Sequence, residues 1–345
     1  MKRFATLLLL LTCSVVSTGW GFLAHRTISQ MAVYELPTNM QPFFHRNLAY
    51  LVRHSIRPDQ RQKTDPAEGA RHYINFEAFG DAAALRMPPK WEEAVAKYSK
   101  DSLHKHGYLP YWIELMQKRL TAAFRNRNAD SIIFYAADIS HYLSDAVVPL
   151  HTTINYNGEL TNQKGIHGLW ETMIPELELR KFSLSSKHSA TYLSHPEVVV
   201  WKHLHDAHRM VADLLKAERI TSKSFTSATK YRTQLRNGKE HKTYTSAFAR
   251  AYNKQLRFTV NQQIIHAVNL TADFWFTAWV EAGRPDLSGL LKPPFTRKES
   301  EQLQTEREAF SKNELLKKNL LLAKKKESIR PSKMQQLPTL PARHP

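Results

Sequence analysis

The chain has one cysteine in 345 residues, Cys13, and only 11 glycines. A single thiol excludes an intrachain disulfide framework and any structural zinc site built from thiolates. No Gly-rich phosphate loop is present, which removes the nucleotide-binding folds that depend on one. Runs of β-branched residues are few, and neither an alternating strand series nor an internal repeat is evident, so sheet folds and solenoids are not expected. Acids are also in short supply: 31 Asp and Glu stand against 49 Lys and Arg, a formal charge of +18. That excess suits an anionic partner such as nucleic acid or an acidic membrane surface. Arg297 to Pro345 holds 12 basic and 6 acidic residues, so this stretch supplies +6 of the charge and the remainder +12.

What is present is the composition of a folded protein, with 42% apolar residues and 10% aromatics. The N-terminus reads as an export signal over residues 1–19: Lys2 and Arg3, an apolar run from Phe4 to about Val16, then small residues before Trp20. The run is too short to span a bilayer. Cleavage before Trp20 is expected, giving a secreted or periplasmic protein that has lost Cys13. A lipoprotein reading of Leu-Leu-Thr-Cys13 matches less well, because Thr is unusual before a lipidated Cys.

Helical periodicity dominates the rest. Helices are expected around Ile28–Tyr34, Met40–His54, Trp91–Lys100, Tyr111–Phe124 and Ala129–Val147, with long amphipathic patterns over Pro196–Ala217 and Phe248–Ala282. Ser55–Ala70 and Ile154–Gly165 read as loops. The expected fold is all-α: one multi-helix bundle over residues 20–294 with a metal-cluster cleft. A basic, partly disordered C-terminal tail over 295–345 is expected to follow, with an anionic surface as its candidate partner.

The chemistry concentrates in His141-Tyr-Leu-Ser-Asp145 and the following Val-Val-Pro-Leu-His151. His141 and Asp145, four apart, share a helix face, and Pro149 should bend the chain just before His151. His167 and Glu171 repeat the four-residue spacing beyond the loop. His25, His72 and an acid in the Asp59 loop complete the candidates. Imidazole and carboxylate without thiolate is the donor set zinc uses where coordination positions stay open for chemistry. Asp65 competes with Asp59 as the loop acid, and Glu68 reads as a solvated loop carboxylate. His203, His205 and His208 lack an acid in register and read as a polar helix face, while His266 reads as a core histidine.

These residues resemble the trinuclear-zinc phosphodiesterases, the superfamily of zinc-dependent phospholipase C and the single-strand-specific zinc nucleases. The resemblance rests on Trp20-Gly-x-x-x-His25, Arg71-His72-Tyr73-Ile74, His141-x3-Asp145-x5-His151 and His167-x3-Glu171. It implies three zinc ions: one on Asp59, His72, His141 and Asp145; a second on His151, His167 and Glu171; and a third on the amine and carbonyl of Trp20, His25 and bridging Asp145. Asp59 and Asp145 are the acids expected at the catalytic centre. Arg61 or Arg71 is a candidate phosphate clamp, and Tyr73 a candidate contact to a base or headgroup. Asn75 stands where relatives often carry Asp. The implied activity is phosphodiester hydrolysis of a phospholipid, with single-stranded nucleic acid as the alternative substrate. A different alternative is a non-catalytic protein with structural zinc, bound to a membrane or polymer. No protein partner is inferred.

Overall fold

The computed structural model describes residues 21–80, 82–236 and 239–325; the stretch expected to be an export signal, Trp20 and residues 326–345 lie outside them. The described residues form an all-α fold with one two-stranded sheet. The helices that place the site are α1 (Phe22–Glu35), α2 (Leu48–His54), α3 (Arg57–Arg61), α4 (Leu109–Arg125) and α5 (Ala129–Asp145). Downstream come α6 (Ile166–Gly168), α7 (Ile174–Glu178), α8 (Pro196–Ser222), α9 (Ser246–Gln255), α10 (Thr259–Glu281) and α11 (Arg297–Ser311).

Helix α1 is buried on every face from Leu23 to Glu35, so it is the central rod of the bundle. Helix α10 lies across α1, α4 and α5. Trp275 of α10 packs on Phe44 at 5.0 Å between ring centroids and donates its indole N–H to the Ala136 carbonyl at 3.0 Å. A buried indole with a satisfied donor fixes the rotation of α5 as well as its depth.

Asn128 starts α5 by accepting from the Ser131 amide at 2.9 Å. Its end follows from proline chemistry: Val148 takes extended angles (φ −86, ψ 117), and Pro149 opens the 3-10 turn Pro149–Thr152. The bend anticipated before His151 is therefore present.

Two segments differ from expectation. Residues 297–325, assigned by composition to the tail, pack onto the bundle through Leu303, Phe310, Leu315 and Leu321. Glu306 accepts from Tyr34 (2.9 Å) and His45 (3.0 Å), and Gln30 bonds the backbone at Leu320 and Leu322. The folded unit thus runs past residue 294; averaged polarity hid an apolar stripe one helix wide. The second difference is an antiparallel hairpin, β1 (Tyr231–Arg236) and β2 (Lys239–Tyr244). Its signal was Asn237-Gly238, the dipeptide that favours two-residue hairpin loops.

Candidate metal centre

Eight of the nine expected ligands fall within the described residues, and all eight converge. His25, His141 and Asp145 form one group, Asp59, His72 and His141 a second, and His151, His167 and Glu171 a third. In each group the ligand atoms lie within 4.8 Å of one another. The ninth, Trp20, is outside the described residues, but its neighbour Gly21 donates to the Glu171 carbonyl at 3.3 Å. A Cβ on Gly21 would sit 3.1 Å from Thr172 Cα, so this close approach favours glycine.

Asp145 stands at the middle. Its Oδ2 is 3.0 Å from His72 Nδ1 and 3.4 Å from His141 Nε2, and its Oδ1 is 3.6 Å from His25 Nε2 and 3.8 Å from His151 Nδ1. Asp59 Oδ1 lies 3.6 Å from His141 Nε2 and 3.8 Å from His72 Nδ1. Asp65 instead pairs with Arg71 at 2.8 Å, so Asp59 is the loop acid at the centre.

The imidazoles are oriented from behind. A carbonyl can only accept, so His141 Nδ1–H donates to Ser55 (2.8 Å) and His151 Nδ1–H donates to the His72 carbonyl (2.6 Å). Nε2 of each then points into the cluster, as metal-ligating histidines require. Between α6 and α7 the helix widens into a π turn, Leu169–Met173, which carries Glu171. Glu171 takes His167 Nε2 on one oxygen (2.7 Å) and His151 Nε2 on the other (2.9 Å).

Arg61 and Arg71, the candidate phosphate clamp, both bond groups inside the protein. Arg61 bonds Glu68 (2.9 Å), Asp138 (3.0 Å) and Tyr142 (2.8 Å). Arg71 bonds Asp65, Glu68 and Tyr108 and lies over Trp112 at 4.1 Å. Both guanidinium groups serve an internal network, because the buried carboxylates there demand neutralisation. Arg57 also grips Asp138, at 2.6 Å. The two arginines of α3 that flank Asp59 therefore fasten that short helix to α5 and set the position of the acid between them.

Glu68 is the residue sequence reasoning missed. It is fully buried, not solvated, and it holds Arg61, Arg71 and Tyr142, with His72 Nε2 at 3.4 Å. The spacing Glu68-x3-His72 was the available signal, the same turn-length separation as the two ligand pairs.

Burial and neighbours divide the protonation states. Burial lowers His25 to about 4 and His141 well below its ordinary value, which favours neutral imidazoles. Burial also pulls on His72 and His151, but the surrounding carboxylates outweigh it and raise them to about 10 and about 9. Burial lifts Asp59 to about 7 against the pull of His72. Glu171 is lowered to about 2, because His167 and His151 outweigh burial.

The residues fit metal ions. Asp59 Oδ2 is buried with no hydrogen-bond partner among the described residues, a cost that a cation would relieve. The donors are nitrogen and oxygen throughout, and their histidines are already supported from outside. Tyr73, next to His72, is half-buried, with its hydroxyl 3.4 Å from the Lys105 carbonyl and Tyr156 close by. Asn75 is tied through its amide to the His106 carbonyl at 2.8 Å. His203, His205 and His208 belong to none of the three groups; His208 instead reaches Thr152 at 3.1 Å, beside His151. His266, expected in the core, is exposed and bonded to Gln263 at 2.9 Å, since its helix position faces outward. Comparison with protein-family models and with curated proteins finds no match.

Proposed function

We propose that the chain is a zinc-dependent phosphodiester hydrolase holding three zinc ions, with phospholipase C-type cleavage of a phospholipid as its reaction. The observation that supports it is the convergence of eight predicted side chains into three groups, two of which share His141, with Asp145 within 3.8 Å of histidines from all three. Asp59, His72, His141 and Asp145 would hold one ion; His151, His167 and Glu171 a second; and His25, Asp145 and the Trp20 terminus a third. When bound, zinc supplies a water acidified toward neutrality and positive charge beside the phosphate.

The protein's part is positioning and proton handling. Asp145 keeps four imidazoles in register, and Ser55 and the His72 carbonyl hold two of them in the required tautomer. Asp59, raised by burial to about 7 with its Oδ2 unpartnered, would give up its proton to hold an ion there. Glu68 holds His72 in place. A nuclease acting on single strands is the second reading, favoured by Tyr73 and Tyr156, two tyrosines near each other beside the ligands.

Purified protein assayed on phosphatidylcholine and on single-stranded DNA decides between them. Chelator-sensitive diacylglycerol release supports the first reading, and chelator-sensitive DNA cleavage alone the second. No metal-dependent cleavage of either refutes both.

A further inference from the structure

The hairpin β1–β2 plays no part in the metal centre, yet the fold secures it firmly. Two strands alone are marginal in water, so the hairpin needs a footing. Glu218 of α8, 1% exposed, provides it: Lys230 binds Glu218 at 2.6 Å, and the Tyr244 hydroxyl sits 3.1 Å from Glu218 and 3.2 Å from the Gln163 carbonyl. Gln163 donates to Glu218 at 2.6 Å, and the Lys230 ammonium lies over the Tyr231, Tyr244 and Phe248 rings. Gln163 and Gly165 end the loop that leads into His167, so the hairpin stands on that same loop.

Beyond this base the hairpin is exposed. Its sequence carries Arg232, Arg236, Lys239 and Lys242 against one acid, Glu240. Leu235, the next-to-last residue of β1, is 74% exposed. The supporting loop exposes Leu160 at 70%, with Ile154 and Tyr156 also open. Basic residues on both strands oppose pairing with another strand edge. Cations combined with exposed aliphatic side chains are instead what an anionic lipid surface receives: charge for the headgroups and apolar groups for the acyl boundary. A nucleic acid would call for a row of stacking surfaces, whereas three of the four exposed apolar side chains here, Leu235, Leu160 and Ile154, are aliphatic and only Tyr156 is aromatic.

We infer that the hairpin 231–244, with the adjoining loop 154–160, is a docking arm for anionic lipid bilayers. This goes beyond the hydrolase reading and does not depend on it. The test is co-sedimentation of the full chain with phosphatidylcholine vesicles made with and without phosphatidylglycerol. Preferential binding to the anionic vesicles is expected. Arg232→Gln with Lys242→Gln should weaken it about 30-fold, from the contribution of two basic residues at a charged surface. Leu235→Thr should weaken it about 10-fold. Melting temperature and hydrolysis of a soluble phosphodiester should not change, which separates failure of this inference from failure of the hydrolase reading. Equal binding to both vesicle types, or variants that bind as wild type does, overturns the inference. Loss of oligonucleotide binding in these variants with vesicle binding intact also overturns it and assigns the arm to nucleic acid.

Discussion

Loading metal into chelator-stripped protein should expel at least two protons per chain. His72 and His151 face carboxylates that raise them to about 10 and about 9, so near neutral pH both imidazoles are cationic until metal arrives. A ligating nitrogen must be unprotonated. His72 gives up the proton on Nδ1, which faces Asp59 and Asp145, and His151 the one on Nε2, which faces Glu171. His25 and His141 are already neutral and contribute none. His72 and His151 stand on different proposed ions, so each ion's apparent affinity should rise about 10-fold per pH unit between about pH 7.5 and about pH 8.5. Below about pH 7 the slope for the ion on His72 should steepen toward two, as Asp59 begins to hold a proton. Titration calorimetry in buffers of different ionisation enthalpy counts the protons, and chelator-buffered zinc measures the slope. Release of less than one proton, or an affinity independent of pH, would refute the assignment of these two histidines as ligands.

Glu68→Gln should weaken metal binding about 10- to 100-fold through His72 and cost about 1–3 kcal/mol, since Arg61 keeps Asp138 and Arg71 keeps Asp65 while each loses a charged partner; metal titration and urea unfolding check both, and a neutral variant would refute the network's role. Burial raises the Glu35 carboxyl to about 7 against a Ser186 hydrogen bond and nearby His188. Its folded value lies above the unfolded one, so its stabilising contribution is whole below about pH 4.5 and is lost as pH rises through about 7. Glu35→Gln should then gain stability over wild type above pH 7, by at most about 3 kcal/mol, and lose that advantage in acid; melting curves across pH decide. Truncation before Arg297 uncovers the partners of Leu303, Phe310, Leu315 and Leu321, on the order of 6–12 kcal/mol. That is comparable to a domain's whole stability, so the truncated chain should fail to melt cooperatively.

The candidate metal centre was legible because its rules are local. A four-residue spacing puts His141 with Asp145 and His167 with Glu171 on shared faces, and a proline turns His151 inward, whatever surrounds them. Asp59 over Asp65 was decided by more distant contacts, chiefly the grip of Arg57 and Arg61 on Asp138. The inward turn of Arg61 and Arg71 was not legible, because whether an arginine faces solvent depends on a buried acid elsewhere, here Glu68. A charged helix over 299–327 is readable from the sequence, but its packing on the bundle is not, for a related reason: mean charge describes the exposed face of a packed helix as readily as a solvated one. His266 shows the converse, since apolar neighbours in sequence say little about which way one position on a helix points.

The embrace of α1 by residues 297–325 sets an order of events. Helix α1 carries His25 and is the first element after Trp20, yet Tyr34 and Gln30 find their partners at Glu306, Leu320 and Leu322. In a chain made from its N-terminus these partners come last. Helix α1, which carries His25, therefore gains its final contacts only once residues 306–322 are present.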